Sequence, residues 1–200
     1  MPNTSCWQSL KTYKKGVEKR FLFLYGLVMS WKNSTTELEL VGEKDKVLRT
    51  ESLPWDFNQR MDATILPTVM NRIMLANNGM GLASNQIGVP YRLFVMGSPS
   101  EKFWACYNPE IVERLGVVEK ATEGCLSFPN LLLDIERNSV ILVRYSNSDG
   151  EIVEEELTGK WARCFQHELD HIDGICFDQR VSKLALGIAQ RKRTKALKRK

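Results

Sequence analysis

Both histidines of this 200-residue chain fall within one run of five residues, His167-Glu168-Leu169-Asp170-His171. On a helix, residues four apart lie on one face a turn apart, so the two imidazoles can share one metal ion with Glu168 beside them to handle protons. The flanks read as a partly buried helix: Trp161, Cys164, Phe165 and Leu169 supply apolar positions and Gly174 a stop. A His-Glu-x-x-His match also arises by chance on polar helix faces, so the run needs further ligands before it implies chemistry.

Hydrolytic metal sites hold three protein ligands and keep one position open for water. Beyond His171 the chain has no His and no Glu, which puts the third ligand upstream. Cys125, in Glu123-Gly124-Cys125-Leu126-Ser127, is the candidate. A thiolate with two neutral imidazoles binds Zn²⁺ or Fe²⁺ and leaves a fourth position free, and Gly124 lets the backbone approach closely. Taken by itself, Cys125 reads as a small buried core residue.

A third segment runs Gly79-Met80-Gly81-Leu82-Ala83-Ser84-Asn85-Gln86-Ile87-Gly88. Together the three resemble the signature motifs of the peptide deformylases, in the family's order: Gly-x-Gly-Leu-Ala-Ala-x-Gln, Glu-Gly-Cys-Leu-Ser and Gln-His-Glu-x-Asp-His. Lys46-Val47-Leu48-Arg49, Asn108-Pro109-Glu110-Ile111 and Arg137 extend the resemblance over residues 46–180. Two positions depart from the pattern. Ser84 stands where the family more often has Ala, and Arg163 where an apolar residue usually flanks the substrate side-chain pocket, which bears on pocket depth and not on chemistry.

The resemblance implies an α+β fold, with antiparallel or mixed β-sheets packed around a central metal-binding helix. It implies removal of the N-formyl group from the formyl-methionine of new polypeptides, with release of formate. One divalent ion, Fe²⁺ with Zn²⁺ or Ni²⁺ tolerated, would be held by Cys125, His167 and His171. Glu168 would act as general base and then general acid. The Gln86 amide and the Leu126 backbone N–H would face the developing oxyanion. Substrate backbone would pair in extended form with Gly81 and the segment at Gly124, and the Met side chain would enter a pocket near Met80, Ala121 and Cys164. A metallopeptidase sharing the helix motif is the alternative, disfavoured by the Cys ligand and the Gly-Met-Gly-Leu segment.

Charge is unevenly spread. Seven of the 28 basic residues lie in 191–200, leaving 21 against 24 acidic residues elsewhere, so the basic character belongs to the C-terminus. Such tails are usually solvated charge, yet an enzyme acting on chains emerging from ribosomes gains from one, so salt-sensitive ribosome association is expected. No apolar run approaches the ~20 residues that span a bilayer, so no membrane is expected as a partner. Five cysteines without framework spacing favour a reducing, cytoplasmic setting.

Three regions follow: an extension over 1–42, a catalytic domain over 43–190 that includes a C-terminal helix, and the basic tail 191–200. The extension pairs basic residues with the apolar run Phe21–Met29. It reads as a segment packing on the domain, as an organellar targeting segment, or as sequence ahead of a true start at Met29. The spacing of Phe57, Met61, Ile65, Val69 and Ile73 predicts a helix from Asp56 as N-cap to Ala76, kinked or broken at Pro67. Strands are expected at 92–96, 103–107, 111–118, 131–136, 140–145 and 151–157, with a turn at Asn147–Gly150. Another short helix follows through Val181, Leu184, Ala185 and Ile188. Strands followed by the metal helix mean α+β.

Overall fold

Side chains alternate between faces along the strand Phe128–Ser146, with Leu131, Leu133, Ile135, Arg137, Ile141, Val143 and Tyr145 buried and Leu132, Asp134 and Glu136 exposed. The two-residue period of a strand therefore carries Arg137, a cation, to the same inward face as its apolar neighbours. This is β4 of a sheet that also contains β1 (Gly81–Ala83), β2 (Leu93–Met96), β3 (Trp104–Cys125) and β5 (Ile152–Thr158). The order is β1-β2-β3-β4-β5 and every pair is antiparallel. The computed structural model describes residues 38–58, 63–100 and 103–199. The expected extension, up to residue 37, and Met61 lie outside the described residues.

Strands expected separately at 103–107 and 111–118 are one strand, as are 131–136 and 140–145. Register shifts between Tyr107 and Glu110, Ile111 and Glu113, and Leu115 and Val118 absorb the break signals as bulges. Asn108 and Gly116 sit there at φ of 47° and 66°, and bend the strand without ending it. The expected turn at 147–150 is present: Asn147 Oδ1 accepts from the backbone N–H of Asp149 and of Glu151, each at 3.0 Å, and Gly150 supplies φ of 82°.

The first helix, α1 (Ile65–Ala76), differs from expectation in its start, its face and its proline. Asp56 accepts from Asn58 N in a turn and caps no helix. Pro67 falls in the first helical turn, where its missing N–H would have no intrahelical partner, so it breaks nothing. Leu66, Met70 and Met74 are buried, one position round from the expected Ile65, Val69 and Ile73, because the helix packs on β1 and β2 along that face.

Helix α2 (Gly159–Ile172) carries both histidines. It ends where Gly174, at φ 74°, donates to His171 O at 3.0 Å and Ile175 N donates to Asp170 O at 2.8 Å. This pairing satisfies the last carbonyls of the helix. Ala162, Phe165, Leu169 and Ile172 pack against Phe94, Met96, Ile141 and Val143 of the sheet, with the Phe94 and Phe165 rings edge to face at 4.9 Å. Helix α3 (Lys183–Leu197) begins at Ser182, whose Oγ accepts from Ala185 N at 3.2 Å. Its Leu186 and Ala189 rest on a second apolar cluster with Leu131, Leu133 and Phe177. The basic residues from Arg191 to Lys195 belong to this helix.

Candidate metal centre

Two elements bring the donors together. Strand β3 ends at Cys125, which pairs with Phe128 across the tight Leu126-Ser127 turn, so the thiol stands at a hairpin tip. Helix α2 presents His167 and His171 one turn apart. The candidate ligand atoms of Cys125, His167 and His171 all lie within 4.8 Å of one another, and Cys125 Sγ is 3.1 Å from His171 Nε2. The three residues expected to hold a metal thus converge.

Each imidazole presents a definite nitrogen. His167 Nδ1 lies 2.9 Å from Glu123 Oε2, and a carboxylate oxygen only accepts, so Nδ1 is the protonated nitrogen and Nε2 faces the site. Burial works to raise the Glu123 pKa, yet bonds from His167 and Arg137 override it and hold the carboxyl down at about 2. Burial opposes charge on His167 as well, but its bonds to Cys125 and Glu123 lift it to about 10. His171, buried and next to His167, is pushed well below the usual imidazole range and stays neutral. Metal ions bind neutral imidazole and thiolate, so a divalent cation held by these three side chains displaces protons from them. The donor set fits such an ion, with sulfur and nitrogen suited to Fe²⁺, Zn²⁺ or Ni²⁺.

Glu168, on the same helix, is buried and its Oε2 has no hydrogen-bond partner among the described residues. Burial, the largest influence, raises its pKa to about 7 against the lowering effect of His167 and Arg137. Gly81 makes room for it, since a Cβ built there would lie 2.7 Å from Glu168 Cδ and Cγ. Gln86 is oriented by a network: its Oε1 accepts from Ala83 N–H at 2.8 Å, which leaves Nε2 to donate toward Cys125 Sγ at 3.5 Å and Ser127 Oγ at 3.3 Å. Ser84 ties this loop down by donating to Tyr91 O at 2.6 Å.

These groups open on a cleft of about 570 Å³ lined by Met80, Gly81, Gln86, Gly124, Cys125, Leu126, Cys164, His167 and Glu168, among others. The Cys164 thiol, pushed far up by burial, donates to Met80 O at 3.4 Å. Ala121 is the exception among the expected substrate-binding residues. It is exposed on β3 and does not line the cleft; Arg163 forms the wall there, bonded through Nη1 to the carbonyl of Ile135, the cross-strand partner of Ala121, and through Nη2 to Glu119 O. The sequence reading missed the role of Glu123. A metal-binding histidine commonly gives its second N–H to a carboxylate, and asking which acid lies beside the Cys motif would have found it. It also missed Asn85, whose Nδ2 donates to His171 O at 2.5 Å, and Ser127.

Comparison with known proteins gives a consistent result. Residues 37–186 match the family model described as polypeptide deformylase. The peptide deformylase of Thermotoga maritima is 44% identical over 139 residues, which is 69% of this chain and 83% of that protein. Peptide deformylase 2 of Streptomyces avermitilis is 46% identical over 113 residues, 54% of this chain and 61% of that protein. The crystal structure of the Thermotoga maritima enzyme superposes with a TM-score of 0.68 at 40% identity, covering 72% of this chain and 97% of that one. That of a Synechococcus elongatus peptide deformylase in complex with actinonin gives 0.73 at 32% identity, over 80% and 88%.

Gly81→Ala is expected to push the Glu168 side chain aside and lower hydrolytic turnover by about 10²-fold, with helix content unchanged by circular dichroism. Turnover within twofold of the parent would show that the space at Gly81 is not needed.

Proposed function

The chain belongs to the polypeptide deformylase family, enzymes that remove the N-formyl group from nascent polypeptides, and on that basis we propose how its own residues divide the work. The convergence of Cys125, His167 and His171 within 4.8 Å, beside the buried Glu168, is the observation that supports the reading. Cys125, His167 and His171 would hold one divalent ion, proposed to be Fe²⁺, with Zn²⁺ or Ni²⁺ accepted by the same donors. Such an ion would supply Lewis acidity and make water a stronger acid, its pKa falling from 15.7 to about 7.

Glu168 Oε2, free of other bonds, takes the proton from the attacking water and delivers it to the amine nitrogen as the formyl C–N bond breaks. Formate and a free N-terminal amine result. Gln86 Nε2, aimed by the bond that its Oε1 accepts from Ala83, donates to the oxygen on which negative charge develops, joined by the Leu126 backbone N–H. An extended formyl-methionyl chain pairs its backbone with Gly81 and Gly124, an addition that reads no downstream side chain. Met80 and Cys164 contribute to the pocket for the methionine side chain.

The basic residues of α3 and the segment after it, Arg191 to Lys200, are proposed to bind ribosomal RNA through phosphate contacts. A cytoplasmic site of action is proposed, since a thiol ligand needs a reducing setting and no disulfide joins the described cysteines. No helix among the described residues is long and apolar enough to cross a membrane.

Glu168→Gln is expected to lower kcat for a formyl-Met peptide by about 10²–10⁴-fold while the protein still takes up metal. In the parent, activity requires Glu168 unprotonated, so kcat/KM falls as pH drops through a limb displaced from the ordinary carboxylate value of 4.5 toward 7. A limb at or below 4.5, or a Gln variant of parental rate, would remove Glu168 from its role. If iron is the native ion, protein prepared without oxygen keeps activity that is lost in air as metal and thiolate oxidise. Equal turnover by the zinc form in air would count against iron. Deleting residues 191–200 is expected to weaken ribosome co-sedimentation and flatten its salt dependence, and unchanged sedimentation would discard the basic segment as the contact.

A further inference from the structure

Arg163 stands on α2 four residues before His167 and so shares its face of the helix. Its side chain is 18% exposed and reaches across to the sheet. Nη1 donates to Glu123 Oε1 at 2.8 Å and to Ile135 O at 2.9 Å, and Nη2 donates to Glu119 O at 2.6 Å. One guanidinium therefore pins the helix to β3 and β4 at the level of His167. An apolar side chain could make none of these bonds, and a lysine ammonium, lacking the planar fork, could not reach all three acceptors in this geometry.

The Glu123 carboxylate, 5% exposed, accepts four bonds. Oε1 takes Arg137 Nε at 2.7 Å and Arg163 Nη1 at 2.8 Å, while Oε2 takes Arg137 Nη2 at 3.0 Å and His167 Nδ1 at 2.9 Å. Arg137 grips both oxygens, but it is itself drawn toward α2 by a 2.8 Å bond from Nη1 to Asp170. Arg163 is carried by α2 yet also bonds backbone carbonyls of both strands, so it holds Oε1 between helix and sheet independently of Asp170.

We propose that Arg163 is a positioning residue: by fixing Glu123 Oε1 against the sheet it sets the orientation of His167 and thereby how firmly the centre grips its metal. The proposal rests on the reading of His167 as a ligand. It gives a wall residue of the substrate cleft a direct line to the metal, through a single carboxylate.

The test uses the full chain loaded with Co²⁺, with affinity read by chelator competition, ligand geometry by the visible Co²⁺ spectrum and folding by thermal denaturation. Arg163→Met is expected to lose about tenfold in Co²⁺ affinity and to alter the spectrum, with Arg163→Lys recovering part of both. Parental affinity and spectrum in Arg163→Met, even alongside a raised KM, would reduce Arg163 to a cleft wall and overturn the proposal. Should the Met variant fail to fold, Arg163→Gln, too short to span from α2 to Glu123 Oε1 and both carbonyls, carries the test, and parental values in it overturn the proposal equally. His167→Ala, measured in parallel, separates the two readings: if it retains parental Co²⁺ affinity, the ligand assignment is wrong and the positioning role falls with it.

Discussion

The Glu123 carboxylate is the point at which sheet and helix are joined around the site. It is buried on β3 two residues before the Cys125 thiol, and it accepts from β4 through Arg137 and from α2 through Arg163 and His167. Removing water from a charged group costs several kcal/mol, and only a full complement of donors repays it. Glu123 has that complement. Loss of any one partner leaves buried charge uncompensated, so the network favours one register of the helix on the strands. Because Cys125 and Glu123 lie on one strand and both histidines on one helix, that register also places the thiol against the imidazoles.

How much of this could be read from the sequence depends on the range of the interaction. The histidine pair was legible because i and i+4 on a helix lie together whatever the rest of the chain does, and Gly174 stopped the helix where expected. Cys125, 42 residues upstream of the first histidine, needed the resemblance of three motifs to be joined to them. Gln86 was named by its motif, but the bond from Ala83 that orients its amide is a tertiary outcome of a tight turn. Arg163 was noticed only as a departure, since its partners Glu119, Glu123 and Ile135 lie on two other elements.

Periodicity misled where two faces of a helix were both apolar. Residues 65–76 offer Ile65, Val69 and Ile73 on one stripe and Leu66, Met70 and Met74 on the next, and only the position of β1 and β2 chooses between them. Break signals misled in β3, where Asn108 and Gly116 are bulges in a strand long enough to tolerate them. Ala121 was placed in the cleft on the resemblance alone. The side chain that walls off the cleft there comes from a helix 42 residues further on.

Two carboxylates within this small volume have opposite environments, and the difference lies in the number of donors each receives. Glu123 accepts four bonds and is held anionic at about 2, so it can orient an imidazole but exchanges no proton near neutrality. Glu168 is equally shielded from water, but one of its oxygens has no partner, and burial moves it to about 7. A group poised there can take a proton and return it within one turnover. The same desolvation thus yields a fixed charge where the fold supplies donors and a mobile proton where it withholds them. Gly81 is part of that withholding, since its missing side chain leaves Glu168 room beside a strand without adding a polar group to hold it.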